Sequence, residues 1–251
     1  MLSPEGLREQ YATDVNLQAR IALHERFSVR QDWSEWLWQR EAPRPRARVL
    51  DLGCGPATLW RSMADRIDPT WSLTLVDFSP GMIDAAQREL GDRADYAVAD
   101  AEELPFPDGS FDAVIANHML YHVRNRSRAF AEIRRVLVSG GTLHASTIGR
   151  GYLAELVALA PFLNAGRYAE TFGLETGPGQ LRLFFNDVSA ERFDDGLAVT
   201  HPEPLLAYIR SSEAYNGEDL TDARATVEEG IARDGSFFVS KPLGVVSGRR
   251  A

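Results

Sequence analysis

The chain has 251 residues, 44% hydrophobic and 25% charged, the composition of an ordinary globular domain with ample length for a full core. A formal net charge of −9 argues against a nucleic-acid partner, which calls for a basic face. No apolar stretch reaches the roughly 20 residues that cross a bilayer, so no membrane span is expected. A single cysteine, Cys54, excludes an intramolecular disulfide and fits a reducing compartment. Met1–Glu5 lacks the basic flank and apolar run of a secretion signal, so the expected location is the cytoplasm.

In chain order, the pattern first predicts helices. Residues 12–27 are amphipathic, and residues 32–39 carry Trp33, Trp36 and Trp38. The segment Pro43-Arg44-Pro45-Arg46 breaks the helix. From Arg48 the pattern alternates. Short apolar runs at 49–52, 73–77, 96–98, 111–116 and 142–148 read as buried strands. Helices are predicted at 57–67, 79–90 and 126–137. Ser79 is the expected N-cap of the second, and Gly140-Gly141 the expected stop of the third. Helices are further predicted at 152–163, 180–185, 202–211 and 218–234. A strand within 188–199 reads as broken near Asp194-Asp195-Gly196, and a last strand covers 236–240. Strands alternating with helices predict a doubly wound, mostly parallel α/β sheet. We expect residues 1–45 to form a helical lid on a single domain, 46–251, with a small helical cap inserted at about 152–185.

The chemistry is expected where strands end. Gly53 and Gly55 leave the first strand in a turn that lets backbone approach a ligand and aims helix amides at negative charge. A dinucleotide fingerprint would place a third glycine at 58, where this chain has Thr58. Asp77 ends the second strand, 24 residues after Gly53, where a carboxylate can accept both hydroxyls of a ribose. Asp100-Ala101-Glu102 follows the third strand and can meet an adenine amine, with Phe78 and Met82 flanking the ring. Asn117-His118 follows the fourth strand, at the edge of the crevice.

Taken together, Val49-Leu50-Asp51-Leu52-Gly53-Cys54-Gly55, Val76-Asp77-Phe78-Ser79-Pro80-Gly81-Met82 and the run from Asp100 to Asp112 resemble the class I methyltransferases, in particular their small-molecule branch. The resemblance covers about residues 45–150. It implies a seven-stranded Rossmann-like sheet whose last strand runs antiparallel. It also implies S-adenosyl-L-methionine as cofactor, S-adenosyl-L-homocysteine as product and a small-molecule methyl acceptor, with the protein a monomer or homodimer. On that resemblance Asp51 and the Gly53-Cys54-Gly55 turn hold the methionine end, Asp77 the ribose, and Asp100 and Ala101 the adenine. Asn117 offers its backbone carbonyl to the ammonium group. Tyr11 or Arg20, on an N-terminal helix folded over the cofactor, would meet the carboxylate. The Pro56-Ala57-Thr58 string departs from the family's usual residues.

Methyl transfer is an in-line displacement that rests on positioning and needs a base only when the acceptor carries a proton. The candidates are His118, His122 and His24. His118 and His122 are four apart without an intervening glutamate, so no metal is expected. The three tryptophans are either an aromatic substrate wall or packing. Two other classes compete: a nicotinamide-dependent oxidoreductase, against which Thr58 counts, and a non-catalytic S-adenosylmethionine-binding protein. An arsenic-type methyltransferase would need several thiols.

Overall fold

The computed structural model describes residues 22–212 and 214–251. Seven strands form one sheet: β1 (Arg48–Leu52), β2 (Ser72–Asp77), β3 (Asp95–Val98), β4 (Phe111–Ile115), β5 (Leu137–Ile148), β6 (Asn186–Val199) and β7 (Phe237–Arg249). Their order is β3-β2-β1-β4-β5-β7-β6. β1 to β5 pair in parallel, and β7 lies antiparallel between β5 and β6. The doubly wound sheet with an antiparallel last strand is as expected.

The central strands β1, β2 and β4 are short apolar runs with most of their residues buried, as in sheets covered by helices on each side. Helix α1 (Trp33–Glu41) precedes β1, and α2 (Thr58–Ser62) and α3 (Pro80–Leu90) follow β1 and β2. Trp38, Trp60, Ala86 and Leu90 pack there against Val49, Leu73 and Leu75. On the opposite face α4 (Arg126–Val136) presses Phe130, Ile133 and Val136 onto Leu50, Val76, Val114 and Leu143. Between β5 and β6 lie α5 (Ala154–Leu159), α6 (Arg167–Phe172) and α7 (Gly177–Leu181); α8 (Glu203–Arg210) and α9 (Thr221–Asp234) lie between β6 and β7. A third core joins Leu23 and Phe27 of the helical segment 22–27 to Leu156, Leu206, Ile209 and Val227.

Several boundaries differ from the sequence pattern, each for a local reason. The helix predicted at 57–67 stops at Ser62, because Met63 leaves helical geometry (φ −117°, ψ 21°), and resumes as a 3-10 turn over Ala64–Arg66. Helix α4 ends at Val136, and Gly140-Gly141 does not stop it but lies inside β5. A Cβ on Gly141 would lie 2.9 Å from the Val138 carbonyl and 3.1 Å from that of Asp112, so the pair marks an irregularity of the ladder beside Phe111–Ala113. Pro161 divides the helix predicted at 152–163. The helix predicted at 180–185 instead covers Gly177–Leu181. β6 is unbroken at 194–196, where Asp194, Asp195 and Gly196 pair with Pro242, Lys241 and Ser240. β7 runs nine residues past the predicted end, to Arg249. Ser79 holds the N-cap position of α3 with Pro80 at the first turn, but its hydroxyl makes no capping bond.

Candidate active site

The C-terminal ends of β1, β2 and β3 lie side by side because these strands are adjacent and parallel, with Leu52 opposite Val76 and Asp77 opposite Val98. What leaves those ends lines one cavity of about 470 Å³, within the usual size range of small-molecule sites. Asp51, Gly53, Cys54 and Gly55 come from the end of β1, Asp77, Phe78 and Met82 from β2 and α3, and Asp100, Ala101 and Glu102 from beyond β3. Asn117, His118 and His122 complete the wall beyond β4.

The turn after β1 is shaped by its neighbours. The Gly53 and Cys54 amides both donate to the Val76 carbonyl, at 2.7 and 3.0 Å. Gly53 has φ +72°, and a Cβ there would sit 2.7 Å from the Met119 Cβ; Gly55 has φ +53° with open space in front of it. Asp77 braces the turn. Its Oδ2 accepts from the Gly55 amide at 2.9 Å and its Oδ1 from the Ser79 amide at 2.8 Å. A third backbone bond to the carboxylate comes from Phe78, and with about four acceptor sites the carboxylate keeps capacity for a ligand hydroxyl.

Asp51 is buried. Its Oδ2 accepts from Trp60 Nε1 at 2.6 Å, whereas its Oδ1 has no hydrogen-bond partner among the described residues. Burial pushes this carboxyl up to about 7, the Trp60 bond pulling it back and the Asp77 charge adding to the rise. Burial also raises Asp77. Asp100 Oδ1 accepts from the Glu102 amide at 2.9 Å, and Glu102 Oε1 accepts from the Asn125 amide at 2.8 Å at the start of α4. Glu102 therefore braces the wall as well as lining it.

His118 turns the chain out of the β4 ladder with φ +53° after its amide donates to the Ser146 carbonyl. Burial, with Lys241 and His122 nearby, lowers it to about 4. His122 ends the 3-10 turn Leu120–His122 and packs edge-on against Tyr121 and Tyr168. His24 does not line the cavity. It is half-buried between Tyr152 and Tyr208 and is lowered to about 3, chiefly by desolvation. Tyr11 and Arg20 lie outside the described residues. Among the described residues no group of three or more His, Cys, Asp or Glu could hold a metal ion, and no helix is long and apolar enough to cross a membrane.

The sequence pattern left three contributions unseen or undecided. Trp33, Ser34 and Leu37 of α1 line the cavity. Trp33 stacks on Trp36 and reaches the His118 ring (centroids 5.8 Å apart), whereas Trp38 packs with Trp60 and Trp71. The tryptophan-rich spacing was the available signal; that Trp33 alone faces the cavity was not. Arg124 lines the cavity as well. Glu41 is buried behind Asn117, and no local pattern marks it.

A family model described as a methyltransferase domain matches residues 50–145. The ubiquinone/menaquinone biosynthesis C-methyltransferase of Bordetella parapertussis is 37% identical over 206 residues, 79% of this chain and 76% of the relative. The malonyl-[acyl-carrier protein] O-methyltransferase of Geobacter sulfurreducens is 41% identical over 114 residues, 45% of this chain and 42% of that protein. The matched segment spans less than half the length of several such relatives. Among solved structures, phosphoethanolamine N-methyltransferase 2 of Haemonchus contortus in complex with S-adenosyl-L-methionine has a TM-score of 0.63 at 22% identity, covering 100% of this chain and 61% of that one. The chain belongs to the class I S-adenosylmethionine-dependent methyltransferases.

Proposed function

We propose that the chain transfers a methyl group from S-adenosyl-L-methionine to an O, N or C atom of a small-molecule acceptor and releases S-adenosyl-L-homocysteine. The observation that carries this is the convergence of Asp51, the Gly53–Gly55 turn, Asp77 and Asp100-Ala101 on one cavity across three adjacent strand ends. When bound, the cofactor supplies an electrophilic methyl on a positively charged sulfur. The residues present fit it. Asp51 offers a buried oxygen with no partner among the described residues, the front of Gly55 is open, and Asp51, Asp77, Asp100 and Glu102 line a cavity that suits a cation.

In this reading Asp51 and the turn hold the amino-acid end, and the Asn117 carbonyl takes the ammonium. Asp77 accepts the ribose hydroxyls. Asp100, Ala101 and Glu102 meet the adenine between Phe78 and Met82. A cation beside Asp51 favours its ionised form, so ligand binding releases a proton below pH 7. Trp33 and Leu37 close the cavity and exclude water, which with orientation supplies most of the acceleration. His118 is neutral at pH 7 and can take a proton from a protonated acceptor, with His122 beside it. His24, away from the cavity, has no part in this step. The lid and the 152–185 cap belong to the same proposal as covers for the acceptor side.

Ligand-induced stabilisation tests the reading. Saturating S-adenosyl-L-homocysteine, at about 100 times its Kd, should raise Tm by roughly 5–10 °C, and NAD should not. Asp77→Ala should abolish the shift. A shift with NAD alone overturns the proposal, and an unchanged shift in Asp77→Ala removes the ribose role. A labelled-methyl screen over candidate metabolites then identifies the acceptor, and its failure with every class while the cofactor binds would favour a non-catalytic binding protein.

A further inference from the structure

Glu41 ends α1, and its side chain lies under the cavity wall, 2% exposed. Its Oε2 accepts from Asn117 Nδ2 at 3.1 Å. Two buried oxygens in this contact have no partner among the described residues: Glu41 Oε1 and Asn117 Oδ1, one from each side chain. An ionised carboxylate can only accept, so ionised Glu41 leaves both oxygens unsatisfied. A carboxylic acid has one O–H to donate, and the amide oxygen is the acceptor on its bonded partner. One proton on Glu41 supplies the donor that both atoms lack, which is what a two-bond acid–amide ring requires.

We propose that Glu41 is a protonated positioning residue: as a carboxylic acid paired with the Asn117 amide, it fixes α1 and Asn117 at the cofactor cavity. The surroundings agree. Asp51, the neighbouring carboxyl from β1, disfavours a second negative charge beside it. The nearest base in sequence, Arg40, is engaged by Glu191 Oε2 at 2.9 Å and lies over the Trp36 ring. Burial and Asp51 push the Glu41 carboxyl up to about 8, against the pull of the Asn117 bond. The contact joins residues 76 apart. On one side it holds the helix that brings Trp33, Ser34 and Leu37 to the cavity; on the other it holds the residue next to His118.

The functional consequence rests on the methyltransferase reading; the protonated pair does not. As pH rises through about 8, Glu41 loses its donor and turns a negative charge toward Asn117 Oδ1 and Asp51, so cofactor binding weakens. Glu41→Gln keeps one donor and one acceptor without a titrating proton, and Glu41→Ala keeps neither.

The infrared difference spectrum of wild type minus Glu41→Gln at pH 6.5 should show the carbonyl stretch of a protonated carboxyl, and that band should vanish at pH 9.5. Calorimetric affinity for S-adenosyl-L-homocysteine should fall about tenfold in wild type between pH 7.5 and 9.5. In Glu41→Gln it should stay flat over that range, and in Glu41→Ala it should be weak throughout. Absence of the infrared band at pH 6.5, or the same alkaline loss in Glu41→Gln as in wild type, overturns the proposal. If the ligand does not bind at all, the methyltransferase reading fails while the infrared arm still decides the pair.

Discussion

Gly53 and Gly55 share a turn and a positive φ, yet they are constrained from opposite sides. Behind Gly53 stands Met119, with its Cβ 2.7 Å and its Cγ 2.8 Å from where a Gly53 Cβ would go. In front of Gly55 there is nothing within 4 Å. Left-handed backbone costs an ordinary residue about 1–2 kcal/mol, and this chain already bears that at Ala57 (φ 58°). Gly55→Ala should therefore cost about 1 kcal/mol of stability while its methyl intrudes on the ligand. Gly53→Ala adds a clash with a packed side chain, which typically costs about 1–3 kcal/mol more, so it should lose roughly 2–4 kcal/mol in urea unfolding and also lose the ligand shift. A Gly53→Ala variant as stable as wild type would show that Met119 moves freely, and would take the turn's rigidity out of the account. The adjacent carboxylate is tuned in the same local manner: the Trp60 Nε1 bond opposes the burial of Asp51 and keeps it close to ionisation.

The strand ends that build the cavity were legible because each is a short apolar run closed by a glycine, an aspartate or an asparagine, a local signal. The second half of β7 was not. Pro242, Gly244 and Gly248 read as turn formers, yet all three lie in a strand between two neighbours. The glycines are there for close approach: a Cβ on Gly244 would collide with the Glu191 carbonyl, and one on Gly248 would meet the Phe185 Cβ at 2.8 Å. Those contacts are with β6 and the segment before it, far along the chain, so no window of sequence contains the reason. Glu41 was illegible in the same way. At the end of a polar helical stretch it resembles a solvent-facing residue, and only the 76-residue contact with Asn117 shows otherwise. Lys241, the chain's one lysine, belongs to this group too. Its Nζ lies 2.7 Å from Asp195 Oδ2 and donates to Ser28 Oγ at 2.5 Å, tying β7, β6 and the segment after residues 22–27 together. The Arg30 and Gly196 amides satisfy Asp195 Oδ1. Removing one partner of such a buried pair strands the other, so Lys241→Met should cost about 3–5 kcal/mol. Adding Asp195→Asn should return part of that loss, because the stranded charge is gone. A cost below about 1 kcal/mol for Lys241→Met, measured by urea unfolding, would mean that the pair holds nothing together.

Across the whole molecule, buried ionisable groups divide into two sets that set stability against pH in opposite directions. Glu41 and Asp51 are raised to about 8 and about 7 by burial. The folded chain keeps protons there that the unfolded chain releases above pH 4, so their stabilisation is full in acid and is lost as pH rises through 7 and 8. His24, His118 and His144 are lowered to about 3, 4 and 4, also by burial. The unfolded chain takes up protons on these below about pH 6.5, so their effect is the reverse: stability falls as pH drops from 6.5 towards 4. Burial raises Asp77 as well, so between pH 4 and 6.5 the raised carboxyls and the three histidines oppose one another, and above 6.5 only the carboxyls act. Ligand-free stability should therefore decline from pH 6.5 upward, by about 2–3 kcal/mol at pH 8.5, each pKa unit being worth about 1.4 kcal/mol. Glu41→Gln should remove more than half of that decline, since Glu41 titrates over the larger part of the range. Bound ligand should counter the Asp51 share, because a cation at the cavity stabilises the carboxylate that the empty site disfavours. The ligand-induced gain in unfolding free energy should then be larger at pH 8 than at pH 6. A flat profile from pH 6.5 to 8.5 in ligand-free wild type, measured by urea unfolding, would show that neither carboxyl holds a proton in the folded chain and that the cavity is charged before its ligand arrives.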